Sequence, residues 1–292
     1  MVATEESKKV QLWKSISVLG HGYVSFPEDC LDVDVGADVA ITRQSDGTII
    51  VRSFSQGSIR ARLVGHNKQV IRSAISKSSR WLATYANDNE VLVWDLQSYS
   101  LQQRITLVDN LDSNPPTNVQ LAFSSDDRFI GVAGLSTASN QNFVRIWNVM
   151  DGTVFRELSF NPTSGSRIAF SPDSRRLAVG SEGIGAIFSI DSEGPSNEQF
   201  QSGGQIWHLQ FTPDGKQLVT SGYSQGANVW DAVSLRKLSQ FARSRSILKR
   251  FSISPDGQTL ATAVSDNTVR LWHLPTGRSS SMEKNEEAQS VA

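Results

Sequence analysis

An all-β fold of the propeller type, assembled from four-stranded antiparallel blades, is predicted by three observations. The sequence repeats with a period near forty residues, most copies end in an alternating strand that carries tryptophan, and no long stretch keeps helical periodicity. The clearest marker strands are Val10-Gln11-Leu12-Trp13, Val91-Leu92-Val93-Trp94-Asp95, Val144-Arg145-Ile146-Trp147-Asn148, Asn228-Val229-Trp230-Asp231 and Val269-Arg270-Leu271-Trp272-His273. Two degenerate copies place Phe188 and Arg52 where the tryptophan belongs. The markers 13, 52, 94, 147, 188, 230 and 272 are spaced by 39, 42, 53, 41, 42 and 42 residues.

Each unit has one internal grammar. An apolar first strand runs into a tight turn, as in Phe170-Ser171-Pro172-Asp173, Phe211-Thr212-Pro213-Asp214-Gly215 and Ile253-Ser254-Pro255-Asp256-Gly257. Proline presets φ at the second turn position, and Asp and Gly suit the turn positions after it. A second strand of small and branched residues comes next (Leu82-Ala83-Thr84, Leu177-Ala178-Val179, Leu218-Val219-Thr220, Leu260-Ala261-Thr262), then the marker strand. A more polar fourth strand closes the unit, as in Arg60-Ala61-Arg62-Leu63 and Arg236-Lys237-Leu238-Ser239. Four short antiparallel strands per forty residues is the pattern of a propeller blade.

The Trp94-Asp95 and Trp230-Asp231 pairs, the Gly20-His21 and Gly65-His66 pairs and the three Pro-Asp turns make the chain resemble the WD-repeat (WD40) family over residues 1–283. The resemblance implies a buried hydrogen-bond chain of His, Ser/Thr, Asp and Trp within a repeat. His66, Thr84, Asp88 and Trp94 supply all four, and they are read as structural, because buried polar groups need partners. Other copies are incomplete: Arg52 replaces the tryptophan, and Gln141, Glu182 and Ser224 stand at the Asp position.

Residues 1–283 are read as one propeller domain, with 284–292 as a polar tail or a closing strand. Met1-Val2-Ala3-Thr4 through Trp13 aligns without gaps to Leu260-Ala261-Thr262-Ala263 through Trp272, so the N-terminus supplies a blade that lacks its first strand. Residues 287–292 resemble the start of that strand. The expectation is therefore seven blades, the closing one shared between the termini, which removes exposed edges. The alternative is six blades, with Ser15 to Gly20 completing the last and 283–292 outside the ring.

Composition narrows the function. Lys+Arg 28 against Asp+Glu 29 argues against nucleic acid or an anionic membrane as the main partner. A lone cysteine, Cys30, excludes an internal disulfide and any cysteine-cluster metal site, and it suits a reducing, cytoplasmic setting. The first residues are polar and acidic, unlike a secretory leader. Gly222-Tyr223-Ser224-Gln225-Gly226 matches a nucleophile elbow in letters, but it joins two strands and reads as a hairpin turn. The acidic group Glu28, Asp29, Asp32, Asp34 and Asp38 lacks the spacing of a calcium loop. No catalytic residue, no metal ligand set and no cofactor is assigned.

Binding is read onto one face. In a four-strand meander, the loop leading into strand one and the loop between strands two and three share a face. Insertions at 21–35 (through Tyr23, Phe26 and Pro27), 109–116 and 135–142 all decorate it. By the family resemblance, two first-strand columns reach that face, one through Leu31, Ile71, Val119, Ser166, Trp207 and Lys249, the other through Asp29, Gln69, Thr117, Ser164, Gln205 and Ile247. Trp207, Ile71, Lys249, Ile247, Leu31 and Gln69 are the candidate partner-binding residues, and Trp207 stands out because aromatic anchors dominate interface energetics. The alternative for Trp207 is a filler between neighbouring blades. Arg72, Arg167 and Arg250 share a further column with His208. The expected function is a non-catalytic scaffold or adaptor that binds proteins or peptides. The competing reading is a propeller enzyme or anion sensor using the central channel.

Overall fold

The computed structural model describes residues 2–6, 9–16, 20–26, 33–35, 38–53, 55–107, 115–137, 139, 141–160, 166–192, 199–222, 226–241, 248–265, 268–275, 279–282 and 290–291. Side chains are described within 38–275, Lys249 excepted. Every helix or strand among these residues is a strand, and no helix is long and apolar enough to cross a membrane.

In chain order the strands are β1 (Val2–Glu6), β2 (Lys9–Ile16), β3 (Gly20–Phe26), β4 (Val33–Val35), β5 (Val39–Arg43), β6 (Ile49–Ser53), β7 (Ile59–Leu63), β8 (Val70–Ile75), β9 (Trp81–Ala86), β10 (Glu90–Asp95) and β11 (Ser100–Thr106). They continue as β12 (Thr117–Phe123), β13 (Phe129–Leu135), β14 (Asn142–Asn148), β15 (Val154–Leu158), β16 (Arg167–Phe170), β17 (Arg176–Gly180), β18 (Glu182–Ser189) and β19 (Gln199–Phe211). The last are β20 (Gln217–Gly222), β21 (Gly226–Asp231), β22 (Lys237–Phe241), β23 (Leu248–Ile253), β24 (Thr259–Val264), β25 (Val269–His273), β26 (Ser279–Met282) and β27 (Ser290–Val291). Four-stranded sheets form from β4–β7, β8–β11, β12–β15 and β23–β26, each in chain order. A fifth has the order β27-β1-β2-β3, with Val2 opposite Val291, so strands from both ends of the chain pair in one sheet, as the gapless match of the N-terminus to the last repeat anticipates. The sixth sheet has seven strands, β16 to β22. In it β19 is long enough to be the last strand of one set and the first of the next.

One sequence reading is corrected here. Tyr23 and Phe26, expected in a loop leading into a first strand, lie instead on β3, the outermost strand of the terminal sheet. The edge of β2 has backbone donors and acceptors to satisfy, and Gly20 to Phe26 satisfies them as a strand.

The chain packs as two compact units, a central one (8–10 and 24–168) and a second one (1–7, 11–23 and 169–292). In the central unit, period-two alternation sends neighbouring residues of one strand into different cores. Val91 and Val93 of β10 join Trp81, Tyr85, Ile130 and Trp147. Leu92 and Trp94 join Ile41, Ile49, Val51 and Leu82. A sheet buried on both faces explains why these strands read as nearly continuous apolar runs, and each fully buried leucine contributes about 1.5–3 kcal/mol. In the second unit, Phe200, Ile206, Leu209, Phe211 and Trp230 form one core, and Val229, Phe241, Leu248, Phe251 and Leu260 another.

The repeated turns are held by one device. Ser171, Thr212 and Ser254 each donate a hydroxyl to the Asp two residues on, at 2.5, 2.6 and 2.5 Å. The same hydroxyl accepts the backbone N–H five residues on, at 2.9, 3.0 and 2.9 Å. These bonds hold the carboxyls of Asp173, Asp214 and Asp256 below the ordinary 3.8. In β8–β9 the Asp position is Ser78, and Asp127 from the next turn accepts hydrogen bonds from Ser76 (3.1 Å) and Ser78. The Asp of each Trp-Asp pair also holds a turn, since Asp95 accepts the N–H of Gln97 at 2.7 Å, and Asp231 that of Ser234 at 2.7 Å.

Candidate docking surface

The four-residue network of the central unit is present and internally consumed. Asp88 Oδ2 lies 2.9 Å from His66 Nδ1 and accepts the N–H of Asn67 at 3.1 Å. His66 Nε2 lies 2.8 Å from Thr84 Oγ1, which also accepts the Trp94 indole N–H at 2.9 Å. The side chains of His66 and Asp88 are 1% and 3% exposed. His66, Asp88 and Glu90 are close enough together to suggest a metal site. Both imidazole nitrogens, however, already face Asp88 and Thr84 across hydrogen-bond distances, so the chemistry of the donor set is that of a packing network. Shorter versions recur, with Thr220 accepting from Trp230 at 2.8 Å and Thr262 from Trp272 at 2.9 Å. The elbow-like segment is flanked by Gly222 paired to Gly226 across β20 and β21, which is hairpin geometry; 223–225 lie outside the described residues.

The first strands carry a second recurring feature, which sequence reasoning missed. In β8 the register passes from Val70↔Ala86 to Arg72↔Tyr85, leaving Ile71 as an extra residue. In β19 it passes from Ile206↔Gly222 to His208↔Ser221, leaving Trp207. In β23 it passes from Leu248↔Val264 to Arg250↔Ala263, leaving Lys249. In β12 Asn118 and Val119 together oppose Gly134, and Asn118 has a φ of 54°. A β-bulge re-aims the side chain it displaces and strengthens the local twist. Four members of the Leu31 column, Ile71, Val119, Trp207 and Lys249, therefore sit at bulges.

Individual candidates differ. Trp207, in the second unit, is half-buried, and its indole N–H donates to Gln205 Oε1 at 3.0 Å. Gln205 is exposed and pairs across β18 with exposed Glu182. Ile71, in the central unit, is half-buried and packs partly against the Trp81–Tyr85 core, while Gln69 is exposed. Lys249 has its backbone in the β23 bulge, but its side chain lies outside the described residues, as do Ile247 and Leu31 entirely. Arg72, His208 and Arg250 do share a column, each opposite the residue after the second-strand Thr84, Thr220 or Thr262.

Trp207 can be re-aimed because the core beside it is packed without it. Phe200 and Trp230 stack at 4.4 Å and fill that core. The connection before Trp207 is only Gly203-Gly204, with Gly203 at a φ of 77°. Backbone approaches backbone closely here: a Cβ on Gly222 would stand 1.7 Å from the Gln205 carbonyl oxygen.

Similarity to known proteins agrees with this geometry. The family model described as WD domain, G-beta repeat matches residues 57–95, 197–231 and 238–273. The chain is 27% identical over 215 residues to the B-type cell cycle switch protein ccs52B of Medicago truncatula, covering 72% of this chain and 42% of that protein. It is 22% identical over 284 residues to Meiotic fizzy-related protein 1 of Schizosaccharomyces pombe, covering 94% and 64%. It is 25% identical over 218 residues to the WD repeat-containing protein WDS homolog of Arabidopsis thaliana, covering 73% and 40%. The chain thus spans about half the length of the curated relatives it matches. Three stretches of the chain are therefore WD40 repeats, and the family resemblance read from the Trp-Asp and Gly-His pairs is real.

Proposed function

We propose that this chain is a non-catalytic adaptor that docks a protein partner on the bulged first-strand column, with Trp207 as its aromatic anchor. The observation that carries this reading is the bulge that displaces Trp207 from the ladder and leaves it half-buried, its polar atom already bonded to Gln205. An indole fixed in this way offers a large apolar face with little conformational entropy left to lose on binding. Similarity to relatives named as a cell cycle switch protein and as an anaphase-promoting complex subunit supports a role inside an assembly. No cofactor enters this reading. Seven four-strand sets among the described residues, counting β19 twice, support a reading of seven blades, and the lone cysteine fits a reducing cytoplasm.

Affinity capture with the wild-type chain, Trp207→Ala and Val233→Ser tests the proposal, Val233 being a 76% exposed residue on the turn after β21. The expected result is loss of the specific partner from Trp207→Ala and its retention by Val233→Ser. Retention of every specific partner by Trp207→Ala would refute the docking surface.

A further inference from the structure

The β19 bulge has a charged neighbour. Residues 236–250 include six basic residues, Arg236, Lys237, Arg243, Arg245, Lys249 and Arg250, and no acid, in a chain whose charges as a whole nearly balance at 28 to 29. Lys249 is the bulged residue of β23, at the position that Trp207 holds in β19, and Arg250 follows it as His208 follows Trp207. The two strands lie in different sheets but meet where the His208 ring packs against Phe251, their centroids 4.3 Å apart. Arg250 is exposed, and among the described residues it makes no hydrogen bond or ion pair. An aromatic side chain and an exposed cation therefore stand on neighbouring strands, one at the bulge and one directly after it.

We propose, resting on the docking role given to Trp207, that the paired bulges of β19 and β23 take an acidic peptide segment of the partner. An apolar side chain of the peptide covers the Trp207 indole, and its carboxylates meet Arg250. Charge complementarity selects this occupant. A single-stranded nucleic acid would need several aromatic faces for successive bases, and here Phe241 is 4% exposed and committed to the core. Glu182, exposed across β18 from Gln205, disfavours acids on that side, so the acidic residues of the peptide are directed toward β23.

The test follows indole N–H resonances of the whole chain, with the Trp207 signal assigned by its disappearance in Trp207→Phe. The probes are the peptide acetyl-Gly-Asp-Glu-Leu-Glu-Asp-Gly-amide, its Asn/Gln counterpart, its all-lysine counterpart and an oligothymidylate. The acidic peptide is expected to move the Trp207 signal saturably and leave that of buried Trp94 in place. Removing the carboxylates is expected to weaken binding about fivefold or more, and Arg250→Gln about threefold, with affinity falling as salt rises. Equal binding of the Asn/Gln or lysine peptide, no effect of Arg250→Gln, no saturable shift, or tighter binding of the oligothymidylate would each overturn the proposal. Should the captured partner depend on Trp207 while the acidic peptide shows no preference, the docking role stands and only the assigned chemistry falls. Indifference of the partner to Trp207 would remove both.

Discussion

The β8–β11 sheet and the fused β16–β22 sheet solve the same assembly problem with opposite materials. The first ties the segment before β8 to the sheet through buried polar groups, with His66, Asp88, Thr84 and Trp94 in one continuous set of hydrogen bonds. The second is continuous at its internal junction. Its β19 runs straight from one four-strand set into the next, joined by Gly203-Gly204, and the fit depends on glycines and stacked aromatics. A buried network fixes a unique arrangement but leaves destabilising orphans if any member is lost. Glycine contacts need no polar partners but tolerate no added atom. Each sheet commits its marker tryptophan to a threonine, Trp94 to Thr84 and Trp230 to Thr220, and the fused sheet carries a further tryptophan, the half-buried Trp207, at the β19 bulge.

The contrast is sharpest for the tryptophans. Trp94→Ala removes a 3% exposed side chain and one of the hydrogen bonds to Thr84, so it is expected to cost about 3–5 kcal/mol in denaturant unfolding. Trp207→Ala, at a half-buried bulge, is expected to cost about 1 kcal/mol or less. Equal losses would mean that Trp207 is the inter-set filler weighed as its alternative. Next in size, Asp88→Ala leaves the buried His66 Nδ1 without its carboxylate partner, and the expected loss is about 3 kcal/mol. In the fused sheet, Gly222→Ala forces a methyl onto the Gln205 carbonyl, and about 1–3 kcal/mol of overpacking is expected in the same assay. If Gly222→Ala were silent, the glycine-dependent account of that sheet would fail.

The smallest effect concerns pH. Asp173, Asp214 and Asp256 have folded-state carboxyls below 3.8, the Ser or Thr hydroxyl of their own turn being the leading cause. Their contribution is present above that value and is lost as pH falls through the depressed folded-state value. Thermal unfolding followed from pH 6 down to pH 2 is expected to show a shallower acid decline for Asp173→Asn, Asp214→Asn and Asp256→Asn than for wild type. An unchanged slope would show that these turns do not depend on ionised Asp.

Much of this architecture is legible in the sequence because it is local and periodic. Strand alternation, Pro-Asp turns and the fixed spacing of Thr84, Asp88 and Trp94 are all properties of one repeat. Other features depend on neighbours that no single repeat contains. The Ser76–Ser78 turn lacks its own Asp and takes Asp127 from another sheet, a pairing 51 residues apart. Tyr23 and Phe26 become strand because the edge of β2 needs a partner, which their local polarity does not signal. The bulges are invisible for a different reason: a register shift depends on both strands of a pair, whereas a column counted along one strand assumes an unbroken ladder. That column nevertheless reaches Ile71, Trp207 and Lys249, because the extra residue occurs at the same distance from each turn.

The outer strands offer a control for the docking proposal. There the register shifts opposite Trp147 leave Phe155 as the extra residue, 45% exposed and stacked on Phe129 at 4.5 Å. Titration calorimetry of a captured partner against Trp207→Ala and Phe155→Ser therefore sets one bulged aromatic against another that is also only partly covered. An anchor role for Trp207 predicts affinity lost by about thirtyfold in Trp207→Ala and by less than about twofold in Phe155→Ser. Undiminished binding by Trp207→Ala, or a larger loss from Phe155→Ser, would contradict it.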